Sequence, residues 1–97
     1  MPSTSWTQDL GTVAASGVAS ITLDARPDLP RSAQIRKATI RNSSNALITL
    51  VNHPGQPTVD PGDRQDVEEC GRYMNFQNDA NAIAAGDVKV TITAEWP

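Results

Sequence analysis

The sequence predicts an all-β fold, a small antiparallel β-sandwich. Three observations carry that prediction. Apolar and polar residues alternate with period two in several segments, clusters of Gly, Pro, Asn and Asp interrupt those segments at short intervals, and no helical period is sustained. About seven or eight short strands follow from that spacing, the signature of a sandwich or barrel.

Residues 1–9 lack the alternation a core needs and are predicted to form a short N-terminal arm, leaving 10–97 as one domain. The arm carries one large apolar residue, Trp6. It either packs on the edge of its own domain or anchors the arm in a neighbouring subunit. Leu10 to Ala15 is a candidate short strand, with Ser16-Gly17 as its turn. From Gly17 to Asp24 the alternation is regular, placing Ala19, Ile21 and Leu23 on one face. Pro27 and Pro30 make residues 25–32 a loop, because proline lacks the amide hydrogen and fixes φ.

Gln34 to Arg41 and Ala46 to Val51 flank the turn formers Asn42-Ser43-Ser44-Asn45, which predicts a hairpin. In its first strand the apolar positions Ile35, Ala38 and Ile40 change parity, so a bulge is predicted near Arg36-Lys37. Its second strand is apolar on both faces, with Ala46, Ile48 and Leu50 on one side and Leu47 and Val51 on the other. Such a strand is covered twice or faces another subunit. Asn52 to Pro57 ends it in a turn. Thr58-Val59 and Arg64 to Val67 then flank a Pro61-Gly62-Asp63 turn, Met74 and Phe76 alternate with polar neighbours, and residues 78–85 form a loop or at most one helical turn. Asp87 to Trp96 is the clearest strand of all. Val88, Val90, Ile92, Ala94 and Trp96 alternate strictly with Lys89, Thr91, Thr93 and Glu95.

Composition narrows the function. The chain has 97 residues, 38 % of them apolar and 4 % aromatic, so the core is thin. Thin cores are commonly supplemented by disulfides, metal or association. One cysteine, Cys70, permits no internal disulfide, and one histidine, His53, leaves no Cys/His zinc set. Association is what remains. Eight basic and eleven acidic residues give a net charge of −3 without a basic patch, which argues against nucleic acid as a partner. No apolar run reaches the ~20 residues of a membrane span. Met1 to Trp6 has neither the basic nor the apolar region of a signal peptide, so synthesis in a cytosol is expected.

A catalytic constellation is missing. Cys70 with His53 as base is the nearest approach, but Glu68 and Glu69 beside the thiol disfavour a thiolate. His53 lies in a turn, where its ring is expected to be solvated. Asp60, Asp63 and Asp66 are spaced by three, yet they do not match the twelve-residue calcium loop and are expected to form a solvated acidic edge. Asn42-Ser43-Ser44 matches the glycosylation sequon without any accompanying secretion signal. No cofactor, no metal and no enzymatic activity are expected.

Two passages resemble known families. Asp9 to Leu23, with its Leu10-Gly11 opening, small residues and alternating strand, resembles the start of immunoglobulin-like sandwiches. Asn45 to Val51, then Val59-Asp60-Pro61-Gly62-Asp63, then Val88 to Thr93 resembles small tailed-phage virion proteins of the sandwich or jelly-roll kind. The second resemblance implies a capsid decoration (cement) protein or a minor head or tail component. It further implies a homo-oligomer bound to a major capsid or other virion protein, located in the virion and assembled in the host cytoplasm. The alternative is an immunoglobulin-like or carbohydrate-binding module. Sugar sites use exposed aromatic platforms, and with Phe76 and Trp96 assigned to the core only Trp6 and Tyr73 are left. The expected protein contacts are the apolar residues without an obvious core position: Trp6, Leu10, Leu29, Leu47 and Val51.

Overall fold

The structure, a computed structural model describing residues 2–97, is a sandwich of two four-stranded antiparallel sheets. Eight strands build it: β1 (Ser3–Asp9), β2 (Val18–Thr22), β3 (Gln34–Asn42), β4 (Ile48–Leu50), β5 (Thr58–Val59), β6 (Arg64–Gly71), β7 (Tyr73–Asn78) and β8 (Val88–Glu95). The first sheet has the order β1-β8-β3-β6 and the second β2-β7-β4-β5. Eight strands wound this way, with β1 meeting β8 and β2 meeting β7, form a jelly roll rather than an immunoglobulin sandwich.

Alternation places the core. Val88, Val90, Ile92 and Ala94 of β8 are fully buried and meet Ile21, Ile48, Leu50, Met74 and Phe76 from the opposite sheet. The predicted bulge is present. The register of β3 shifts between Ile35 and Lys37 against both β6 and β8, and the shift returns Ile35, Ala38 and Ile40 to the inner face.

Three expectations are corrected. The arm expected over residues 1–9, of which residue 1 lies outside the described residues, is not free: Ser3–Asp9 is the edge strand β1, paired without interruption to β8 from Ser3↔Glu95 to Asp9↔Lys89. Its inward side chains, Thr4, Trp6 and Gln8, include only one apolar residue, so a hydrophobic pattern was absent although the ladder is complete. Leu10 to Ala15 is not a strand; only Val13 bridges, to Ile83. Gly17 closes that segment. A Cβ there would sit 2.7 Å from the Ala14 carbonyl oxygen, so no larger residue fits without a shift.

The third correction concerns β3 and β4, which belong to different sheets and make no hairpin. The cause is Asn42. Its side chain is buried, donates to the carbonyls of Ala46 (2.7 Å) and Val59 (3.1 Å), and accepts from the Ser44 amide (3.0 Å) and hydroxyl (2.5 Å). These bonds carry the chain across the top of the sandwich instead of back alongside β3. Helical structure among the described residues is limited to one 3-10 turn, Leu23–Ala25, capped by the Thr22 hydroxyl. No helix among them is long and apolar enough to cross a membrane.

Candidate functional site

The reactive side chains are tied into the scaffold separately. Cys70 is half-buried on β6, and burial, with a smaller contribution from Glu69, pushes its thiol up to about 11. A thiol held protonated is a poor nucleophile. His53 is not simply solvated: Nε2 lies 2.7 Å from the Glu68 carbonyl oxygen and Nδ1 3.1 Å from that of Pro54, so the ring pins the β4–β5 turn to β6. Asp63 accepts from the Arg64 amide and Asp66 from the Thr39 hydroxyl (2.7 Å), which holds the Asp66 carboxyl below its usual range. Among the described residues no group of three or more His, Cys, Asp or Glu side chains is placed to hold a metal ion. Asn42, the sequon residue, is 2 % exposed and its amide is fully engaged, so the folded chain offers no acceptor there.

The two outer faces differ in chemistry. On the first sheet, cross-strand rows read Asp9–Lys89–Arg41–Arg64 and Ser5–Thr93–Lys37–Glu68. Arg36, at the bulge, reaches Glu95 (2.8 Å) and Glu69 (3.0 Å). This face is densely charged. On the second sheet the corresponding rows are Val18–Gln77–Thr49–Thr58, Ser20–Asn75 and Thr22–Tyr73. None of these side chains carries a charge. Val18 is 74 % exposed and Tyr73 50 % exposed, the two large apolar residues most open to solvent among the described residues. Leu47 and Val51, flanking β4, are half-buried, with the parity of Thr49 on that same outer face. The Asp79 side chain marks the rim beside Leu47. It accepts from the amides of Asn81 (2.9 Å) and Leu47 (3.1 Å), which hold its carboxyl below the usual range.

The five sequence-derived contact residues therefore separate into two groups. Leu47 and Val51 lie on the uncharged face. Trp6, Leu10 and Leu29 are partly buried against the margin of the core. The Trp6 indole N–H donates to Gln8 Oε1 (3.2 Å), and the Arg26 guanidinium, held by Asp28, stands 4.3 Å from the ring centroid. Leu29 lines an open groove of about 810 Å³ with Leu23, Pro27 and Arg31. Val18 and Tyr73 were not selected from the sequence, although their signal was present. Placing Ile21 and Met74 inward forces Val18 and Tyr73 outward. Tyr73 stands alone among the aromatics in its exposure, since Phe76 is buried and Trp6 and Trp96 pack against the core. A flat aromatic platform is not formed.

No protein-family model matches the sequence, and none of the curated proteins matches it significantly. Among solved structures, the fold is similar to that of the Tobacco streak virus coat protein dimer. The TM-score is 0.54 at 12 % identity, covering 100 % of this chain and 88 % of that chain. At this identity the likeness is one of fold.

Proposed function

We propose that this protein is a non-enzymatic structural component of a virion, a capsid decoration (cement) or minor head or tail protein of a tailed phage, that works by binding its protein neighbours and further copies of itself. The observation that carries the reading is the uncharged outer face of the second sheet, on which Val18 and Tyr73 stand exposed toward opposite ends and Leu47 and Val51 are half-buried. A chain with 19 charged residues among 97 that keeps one whole sheet face free of charge has a surface suited to burial against protein. The jelly-roll fold shared with a viral coat protein supports the same reading. So does the scattering of Cys70, His53 and the carboxylates into separate structural roles.

The face spans four strands and about five residues, roughly 17 × 19 Å from strand geometry. That is small for a lone standing interface. Its strength would come from repetition on a lattice, where many weak contacts act together. The test is the solution mass by light scattering after size exclusion, with wild type beside the Val18→Asp/Tyr73→Asp double variant. An oligomer whose mass the double variant lowers, with its melting temperature unchanged, is the expected result. A strictly monomeric wild type that also fails to sediment with assembled phage heads would overturn the reading.

A further inference from the structure

We infer that β1 is a self-pairing edge, through which two copies of the chain join their first sheets antiparallel about a twofold axis. This goes beyond the shell reading and stands on β1 alone. The four sheet edges are not equivalent. β5 has only two residues. The β6 edge carries Asp66, Glu68 and Glu69, with Glu69 in the left-handed region at φ 55°, features that block strand addition. β2 is short. β1 runs for seven residues with no proline, no bulge and no charge before Asp9.

The direction of its backbone groups follows from the ladder. The Leu10 amide donates to the Val88 carbonyl (2.9 Å) and the Pro2 carbonyl accepts from the Trp96 amide (3.1 Å). With period two, the even residues serve β8, so the amides and carbonyls of Ser3, Ser5, Thr7 and Asp9 point to the open edge. A second copy running antiparallel and centred on Trp6 pairs Ser3 with Asp9 of the second copy and Ser5 with Thr7 of the second copy. Counted both ways, those pairs offer about eight backbone hydrogen bonds. No like-charged residues pair in the ladder, because each Asp9 faces a serine, and the Arg26 beside each Trp6 is neutralised by Asp28. Outward, the hydroxyl ladder Ser5–Thr93 (2.9 Å) and Thr7–Thr91 (3.0 Å) extends across the junction. Inward, Trp6 stands opposite Trp6 of the second copy in the close, non-hydrogen-bonded position, with Arg26 over each ring. One strand pair buries far less than the ~1,000 Å² of a standing interface, so the dimer is concentration-dependent.

Sedimentation velocity on the full chain, from about 10 μM to about 1 mM, reads this association. Thr7→Pro removes an amide that faces the open edge and spares the β8 ladder. It is expected to shift dimerisation to roughly tenfold higher concentration or more, with the melting temperature retained. Two charge variants test the register without proline. Ser5→Lys/Thr7→Lys sets lysine opposite lysine twice and should associate less than wild type; Ser5→Lys/Thr7→Glu sets lysine opposite glutamate twice and should dimerise. A wild type that stays monomeric throughout, or association equal in both charge variants, would overturn the pairing. Association lost only in Val18→Asp/Tyr73→Asp would also overturn it while leaving the shell reading intact.

Discussion

At the scale of single residues, Asn42 has the largest structural consequence. It sits where β3 ends, and its amide satisfies two carbonyls and an amide that the crossing would otherwise bury unpaired. Asn42→Ala is expected to cost about 2–4 kcal/mol in urea unfolding, since several buried partners are orphaned at once. A loss below about half a kcal/mol would mean that the crossing is held by packing alone. Cys70 gives a pH-dependent prediction. Between its ordinary value of 9.0 and about 11, the folded chain retains a thiol proton that the unfolded chain has released. Stability contributed by the neutral thiol is complete below pH 9 and falls as pH rises through that window. Cys70→Ala should flatten this part of the stability profile, and alkylation of wild type should accelerate over the same range. An identical pH profile in the variant would remove Cys70 as the cause.

At the scale of elements, the strands with one apolar face were legible before the structure. In β2, β7 and β8 the inward residues Ile21, Met74, Phe76, Val90 and Ile92 are the ones alternation selects. The parity change in β3 likewise located its bulge, because an apolar side chain on the wrong face is costly enough to force an extra residue into the strand. β1 was not legible. As an edge strand it buries only one side of a narrow stripe, and Thr4 and Gln8 suffice around Trp6. Its register nonetheless yields a sharp contrast: Gln8→Pro removes an amide that serves β8, so it should destabilise the fold by about 3 kcal/mol, whereas Thr7→Pro should not. Equal melting temperatures for the two variants would refute the assigned direction of the ladder.

At the scale of the whole molecule, the termini are coupled. β1 and β8 pair along their full lengths, and Trp6 and Trp96 both pack against the same core. Deleting residues 2–9 should therefore unfold or aggregate the chain, because it uncovers the edge of β8 and the inner face beneath Trp6. Retention of the full melting temperature would restore the picture of a dispensable arm. Pairing of residues so far apart in sequence also predicts slow folding, in milliseconds to seconds by stopped-flow fluorescence, since chain closure is lost in entropy before the ladder forms. The candidate surface emerges at this scale too. Four strands, drawn from four separate parts of the chain, each place uncharged residues outward, and only their assembly into one sheet makes a continuous neutral face.

The sequence by itself determined the all-β class, most strand positions and the inward faces. All of these follow from local alternation and composition, which act within a few residues. Tertiary structure decided which strands meet: that β3 and β4 part into different sheets, that residues 3–9 close the first sheet, and that Val18, Tyr73, Leu47 and Val51 share one surface. The physical reason is that the backbone ladder is chemically the same at every residue. Partner choice is then left to buried side chains such as Asn42 and to how the two apolar faces fit together.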